Sequence, residues 1–157
     1  MKAKHLNPFV TAAKSVLGQF FPDAQFERGE LEVIDQPGNP RSVAVLIGIS
    51  GDLEGRVIYE MHKETAVDLA AEMNGEDIPG FNEMVRSTIQ ELGNIVSGNA
   101  AQELESTENE LSISITPPSL IVGEDTQISD SVSQSYIQVP LLTNDNEILI
   151  NLSVRES

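Results

Sequence analysis

The stretch Ser87-Thr88-Ile89-Gln90-Glu91-Leu92-Gly93-Asn94 has the spacing of an amphipathic helix. Apolar residues recur here every three or four positions and form a stripe that faces a core; they are Val85, Ile89, Leu92 and Val96. At about 100° per residue, another set falls on roughly the opposite side: Ser87, Glu91, Asn94 and Gly98. We predict a long helix over about Asn82–Ser106 that presents an acid and an amide, Glu91 and Asn94, together to solvent.

Two glycines lie inside this predicted helix, Gly93 and Gly98. Glycine in a helix interior costs roughly 0.5–1 kcal/mol relative to alanine, so each position needs a reason. Close approach of another backbone is one such reason. That backbone could belong to a neighbouring element of the same fold or to a partner.

The rest of the chain alternates between helices and strands. A first helix begins at Asn7-Pro8 and ends near Phe20, and a second covers Glu64–Asn74, where Gly75 ends it. Strand patterns occupy five further regions and a weaker one: Ser42–Ser50, Leu53–Met61, Leu111–Ile115, Ser131–Leu142, Glu147–Val154 and, weakly, Phe26–Ile34. The order predicts an α+β fold, a mostly antiparallel sheet of about six strands with helices packed on it.

Three local features refine this prediction. Gly51-Asp52 turns the chain between Ser42–Ser50 and Leu53–Met61, which makes these strands a hairpin. Asp145-Asn146 makes a second turn, between the last two strands. Pro117-Pro118 cannot donate hydrogen bonds to a ladder, so we expect the chain to leave the sheet at that point.

Composition limits the classes of function. The 157 residues suit one domain, and nine Lys and Arg against 25 Asp and Glu give a net charge of −16. Such a charge argues against binding nucleic acid or anionic membranes, and it suits a protein partner with a basic patch. No long apolar run follows the N-terminus and none could span a membrane, so we expect a cytoplasmic protein.

The sequence gives little support for a metal site or for a nucleophilic catalytic triad. The chain has no cysteine, and its only histidines are His5 and His62, so we expect no zinc site and no Ser-His hydrolase triad. The glycines of Gly48-x-x-Gly51-x-x-x-Gly55 match neither the dinucleotide nor the P-loop pattern. Close strand packing and a hairpin turn account for them better.

The long helix also carries a recognisable motif. Ser-x-x-x-Glu-x-x-Asn, followed after 22 residues by proline, is met by Ser87, Glu91, Asn94 and Pro117. This pattern resembles the signature of the CheC/CheX/FliY family of chemotaxis phosphatases. The flanking segments are similar too: Ser97–Ala100, Ile115–Pro118 and Ile47–Tyr59. The first helix has no second Glu-x-x-Asn pair, so the chain is most similar to the single-site CheX type.

The resemblance implies a substrate and a role for each motif residue. The substrate would be the aspartyl phosphate of a CheY-type response regulator, in chemotaxis signalling. Asn94 would hold the attacking water in line, and Glu91 would contact a lysine of the regulator. Ser87 and Gly98 would contact the partner, whereas Pro117 would shape a turn. The magnesium ion would belong to the regulator, so no cofactor is expected in this chain.

Two further expectations remain open. The alternative function is a non-catalytic binding module that docks a response regulator or a flagellar-switch component, although intact Glu91 and Asn94 favour the enzyme. We also expect a homodimer joined through sheet edges, because three strands carry few charges and would attract pairing if left open: Ser42–Ser50, Ser131–Leu142 and Glu147–Val154. The Glu91–Asn94 face would then stay free.

Overall fold

The computed structural model describes residues 3–35, 42–107, 111–123, 135–143 and 146–156. A short 3-10 turn, Ala3–His5, precedes three α-helices, which are α1 (Asn7–Phe20), α2 (Lys63–Asn74) and α3 (Glu83–Thr107). Helix α2 ends as predicted at Gly75, which adopts the left-handed conformation with φ 67°.

Eight strands form one antiparallel sheet in the part of the chain that the structure describes. They are β1 (Glu27–Arg28), β2 (Glu32–Ile34), β3 (Ser42–Gly51), β4 (Leu53–His62), β5 (Ile113–Ile115), β6 (Ser119–Val122), β7 (Tyr136–Leu142) and β8 (Glu147–Glu156). The order is β1-β7-β8-β4-β3-β5, with β2 also paired to β7 and β6 also paired to β3. The predicted α+β architecture is confirmed. Six strands form the continuous order, and two further short strands, β2 and β6, pair with β7 and β3.

The helices pack on one face of this sheet and enclose the main core. Alternate residues of β3 point into that core, as the sequence pattern predicts: Val43, Val45, Ile47 and Ile49. Helix α1 packs against α3, and α3 lies over β3, β5 and β6. The sheet therefore holds α3 on its inner side and leaves the opposite side of the helix to solvent.

The other face of the sheet carries a smaller buried cluster. Its centre is Ala44, Ile58 and Tyr136, with Leu46 packed against it. Beside this cluster lies a buried polar pair, in which Asn151 Nδ2 donates to Glu60 Oε2 at 2.8 Å. Both faces of the central strands are thus buried.

The predicted hairpin is confirmed, with β3 and β4 paired from Ser42↔His62 to Ile49↔Gly55. Two other strands are shorter than predicted, because β5 begins at Ile113 and β7 at Tyr136. Residues 131–134 and Asp145 of the second predicted turn lie outside the described residues.

The chain leaves the sheet at Pro117-Pro118 as expected, since residues 116–118 belong to no strand, but the strand that follows them was not predicted. The chain returns to the sheet at once, and β6 pairs with β3 from Leu46↔Ser119 to Val43↔Val122. Proline removes its own donor but does not prevent the next residues from joining a ladder. Four residues behind two prolines are too few to show a strand pattern.

The three charge-poor strands are not at the edges. Strand β3 lies between β4 and the pair β5 and β6, β8 lies between β7 and β4, and β7 lies between β8 and the pair β1 and β2. The ends of the described sheet are formed by short strands instead. The strands that motivated a dimer in the sequence therefore already have partners on both sides.

Candidate functional site

Helix α3 has the two faces that its sequence predicts. Its apolar stripe is buried and comprises Val85, Ile89, Leu92 and Val96. On the other side Ser87 and Glu91 are exposed, whereas Asn94 and Gly98 are partly buried. The structure thus brings all four predicted residues of the helix to one solvent-accessible ridge.

Neither Glu91 nor Asn94 uses its side chain inside the fold. Within the described residues, neither side chain takes part in a hydrogen bond or ion pair. Neighbouring polar side chains of α3 do have such contacts, since Thr88 Oγ1 accepts from Asn74 Nδ2 at 2.9 Å. A carboxylate and an amide one turn apart, both available, can bind an external group.

The two helix glycines have different explanations. A Cβ placed on Gly93 would lie 2.9 Å from Val45 Cγ1 and 3.5 Å from Tyr59 Cδ2, so glycine allows α3 to approach the sheet closely. A Cβ on Gly98 would meet no atom of the described residues within 4 Å. The close approach at Gly93 comes from the same fold, whereas nothing inside the described fold requires glycine at position 98.

A buried hydrogen bond fixes the helix one turn beyond Asn94. The hydroxyl groups of Tyr59 and Ser97 lie 2.8 Å apart. Burial raises the pKa of Tyr59 well above its usual value, with the Ser97 hydrogen bond opposing the change in part. The raised pKa of Tyr59 favours the neutral phenol, which can share this hydrogen bond between β4 and α3.

The start of α3 is held by amide side chains. Asn82 Oδ1 accepts from the backbone N–H of Val85 at 3.1 Å, in the manner of a helix N-cap. At the same end, Asn74 Nδ2 also donates to the carbonyl of Ala70 at 2.8 Å and so connects α2 to α3. These contacts fix the helix on the side of Ser87.

Pro117 lies in the connection between β5 and β6. Thr116 pairs with Gly48 of β3, and Gln90 Nε2 donates to the carbonyl of Pro118 at 3.4 Å. Pro117 itself is exposed. The residue that follows the motif proline is therefore bonded to α3 by Gln90, one turn before Asn94.

Other kinds of site find no support near the ridge. No group of three or more His, Asp or Glu among the described residues could hold a metal ion. A cavity of about 700 Å³ opens elsewhere, at the ends of α1 and α2. No helix of the described chain has both the length and the apolar character needed to cross a bilayer.

Comparison with known proteins identifies the family. The sequence model described as Chemotaxis phosphatase CheX matches residues 43–142, which include the whole motif from Ser87 to Pro117. The chain belongs to the CheX family. Family members of known structure share the fold over nearly the whole chain, as the relatives below show.

Three relatives illustrate the range of sequence identity to this chain. The CheY-P phosphatase CheX of Thermotoga maritima is 38% identical over 90 residues, so the match spans only 57% of this chain and 57% of that protein. A chain in the crystal structure of the CheX-CheY-BeF3-Mg+2 complex from Borrelia burgdorferi is 32% identical, with a TM-score of 0.82, covering 97% of this chain and 98% of that one. A CheC-like protein from Shewanella, 20% identical with a TM-score of 0.85 over 99% of each chain, shares the fold.

Sequence reasoning missed three contributors to this site: Gln90, Thr116 and the pair Tyr59 and Ser97. Gln90 lay inside the helix pattern and looked like any polar surface residue. The proline pair offered one signal, since two residues without N–H groups leave nearby backbone groups to be satisfied by side chains. No local pattern could have connected Tyr59 with Ser97, because the contact joins positions 38 residues apart.

Proposed function

We propose that this chain is a phosphatase that hydrolyses the aspartyl phosphate of a CheY-type response regulator. The observation that carries the proposal is the exposed ridge of α3, where Glu91 and Asn94 are adjacent and their side chains have no partner among the described residues. A relative named CheY-P phosphatase and a relative crystallised with CheY support the choice of substrate.

Asn94 is the proposed catalytic residue. Hydrolysis of an acyl phosphate needs a water held in line with the breaking P–O bond, and most of the protein's contribution is positioning. A carboxamide suits this task because it can accept a hydrogen bond from the water and donate one to a phosphoryl oxygen. It is also neutral, so it does not repel the phosphoryl dianion.

We propose that Glu91 contacts the partner rather than the attacking water. A carboxylate close to a phosphoryl dianion would be repelled, which makes it a poor base at that position. A carboxylate that meets an ammonium group of the regulator forms a charge-assisted hydrogen bond and aligns the docked complex. Ser87, one turn earlier and exposed, is proposed as a further contact on the same ridge.

The magnesium ion in this scheme belongs to the regulator. The described residues offer no group of carboxylates and histidines that could hold a metal. The Borrelia complex contains magnesium and beryllofluoride together with CheY. We therefore assign both the metal and the phosphoryl group to the partner, and only positioning to this chain.

We further propose a homodimer in which edge strand β2 pairs with its copy. Leu31, just before β2, is 39% exposed, and Val33 inside it is 74% exposed. No described strand pairs with the outer side of β2. Such an edge attracts another strand, and twofold pairing closes it. Because α3 lies over β3, β5 and β6 at the other end of the sheet, both ridges would stay free.

Two experiments test these proposals. Phosphate release from a phosphorylated CheY-type regulator should require Asn94 but not Asn99, an exposed asparagine of the same helix. Light scattering should return twice the chain mass of 17.0 kDa, and Val33→Lys should halve it, whereas Met84→Lys on α3 should not. A wild-type mass of 17.0 kDa would contradict the dimer.

A further inference from the structure

The segment Thr116–Pro118 is held by hydrogen bonds on two sides. Toward the sheet, Thr116 Oγ1 accepts from the backbone N–H of Gly48 at 2.8 Å, and the Thr116 N–H donates to the Gly48 carbonyl at 3.0 Å. Toward the helix, Gln90 Nε2 donates to the Pro118 carbonyl at 3.4 Å. Pro117 lies between these two attachments, and we call these three residues the proline segment.

Gly48 is required for the attachment on the sheet side. A Cβ at this position would lie 3.0 Å from Thr116 Cγ2 and 3.2 Å from Thr116 Oγ1, closer than ordinary contact. A glycine in β3 therefore lets the threonine reach the backbone of the strand. Pro117 and Pro118 cannot donate backbone hydrogen bonds. Besides the Thr116 N–H, two side chains therefore hold the segment, since Thr116 Oγ1 accepts from Gly48 and Gln90 donates to the Pro118 carbonyl.

The attachment on the helix side lies next to the proposed catalytic residue. Gln90 and Asn94 are four residues apart on α3, so their side chains are neighbours on one face. Both are partly buried, whereas Pro117 is exposed. A partner large enough to cover Asn94 therefore meets the proline segment beside it.

We propose that the proline segment is a second docking element for the partner, and that Gln90 and Thr116 are positioning residues that hold it beside Asn94. The proposal rests on the proposed function. Neither Gln90 nor Thr116 is proposed to contact the phosphoryl group. Each acts through the segment, by limiting the orientations in which a partner can dock over the ridge.

Two substitutions release the segment from opposite sides. Gln90→Met keeps the length of the side chain without its donor, and Thr116→Val keeps the shape without the acceptor for Gly48. Because a net hydrogen bond changes an equilibrium by roughly three- to tenfold, each variant should raise KM for the regulator by about that factor. The value of kcat should stay within about twofold, since Asn94 remains in place on its helix.

The test is steady-state phosphate release at varied concentrations of a phosphorylated CheY-type regulator, with thermal unfolding measured for every variant. Gln102→Met, at an exposed position of α3 away from the segment, is the matched control and should keep the wild-type KM. The double variant of Gln90 and Thr116 should lose less than the sum of the two single effects, because both act on one segment.

Asn94→Ala in the same assay separates this proposal from the proposed function. If Asn94→Ala abolishes turnover but both segment variants keep the wild-type KM, the docking role of the proline segment is overturned and the proposed function stands. If Asn94→Ala retains the wild-type kcat, the proposed function is overturned, and the docking role loses its basis with it.

Discussion

The hydroxyl groups of Tyr59 and Ser97 form a buried 2.8 Å hydrogen bond between β4 and α3. Ser97 follows Asn94 by one turn, and Gly93 directly precedes it, at a position where an added Cβ would lie 2.9 Å from Val45 Cγ1 of β3. The helix is thus fixed to the sheet on both sides of the proposed catalytic amide. Its rotation about its own axis, and with it the direction of the Glu91–Asn94 ridge, is set by these core contacts.

Tyr59→Phe tests the energetic role of this bond. The substitution leaves the fully buried Ser97 hydroxyl without its partner, so the free energy of unfolding should fall by about 1–3 kcal/mol. Chemical denaturation of Tyr59→Phe, Ser97→Ala and the double variant measures the coupling. The double variant should lose less than the sum of the single losses, and strictly additive losses would contradict a direct bond.

Gly98→Ala should separate stability from function. A Cβ at this position meets no atom within 4 Å in the described part of the chain, so the helix should gain roughly 0.5–1 kcal/mol in free energy of unfolding. Phosphate release should nevertheless fall, because the added methyl group lies on the proposed docking ridge. The measurement is thermal unfolding together with turnover of the regulator.

Gly18→Ala is the matched control for this prediction. Gly18 lies in α1, and a Cβ there also meets no atom within 4 Å among the residues described. This variant should gain stability and keep full activity. Equal activity in the two alanine variants would show that the ridge at Gly98 is not approached by the partner.

Much of the fold could be predicted because its main elements have strong local patterns. The 25 residues of α3 repeat their apolar stripe over several turns, and the β3–β4 hairpin combines alternation with a Gly-Asp turn. The edges of the sheet could not be predicted in this way. Strand order depends on contacts between distant residues, so β7 and β8 have the same sequence pattern whether they lie inside the sheet or at its edge.

The same distinction holds for the candidate site: residues close in sequence could be predicted, whereas contacts between distant residues could not. Glu91 and Asn94 were found because they are close in sequence and match a family motif, and the structure places them on one ridge. The supports of the site join positions far apart, such as Thr116 and Gly48, 68 residues distant in sequence. Only the folded structure brings such residues together.

Glu91→Gln should weaken docking more than chemistry. The substitution removes the charge but keeps the shape, and a hydrogen bond to a charged group is worth enough that KM should rise roughly tenfold or more. Glu103→Gln, at an exposed position further along α3, controls for the change in net charge. Turnover measured at low and at saturating regulator concentration distinguishes the two effects, and a wild-type KM would remove Glu91 from the interface.

Glu60, which lies in β4 rather than on the proposed site of α3, gives the structure a pH dependence of its own. The residue is 1% exposed, and its Oε1 has no hydrogen-bond partner among the residues that the structure describes. Burial raises the pKa of this carboxyl above its ordinary 4.5, and the hydrogen bond from Asn151 opposes the change in part. The folded state therefore binds the proton more tightly than the unfolded state. The stability that this group contributes is complete below its unfolded pKa and is lost as pH rises through its folded pKa.

Glu60→Gln, which does not titrate, should remove this loss. Each pH unit between the unfolded and folded pKa values changes the free energy of unfolding by about 1.4 kcal/mol. The stability of Glu60→Gln relative to wild type should therefore increase as pH rises from about 4. Denaturation of both proteins at several pH values measures the difference, and a difference that is constant with pH would contradict ionisation of a buried Glu60.

Asn94→Ala tests the central claim most directly. If the amide positions the attacking water, its loss should lower kcat for phosphate release by about 10²–10³, while KM and thermal stability stay close to wild type. Asn99→Ala, the same substitution at an exposed position of the same helix, should change neither constant. Phosphate release by Asn94→Ala at the wild-type rate would contradict the account.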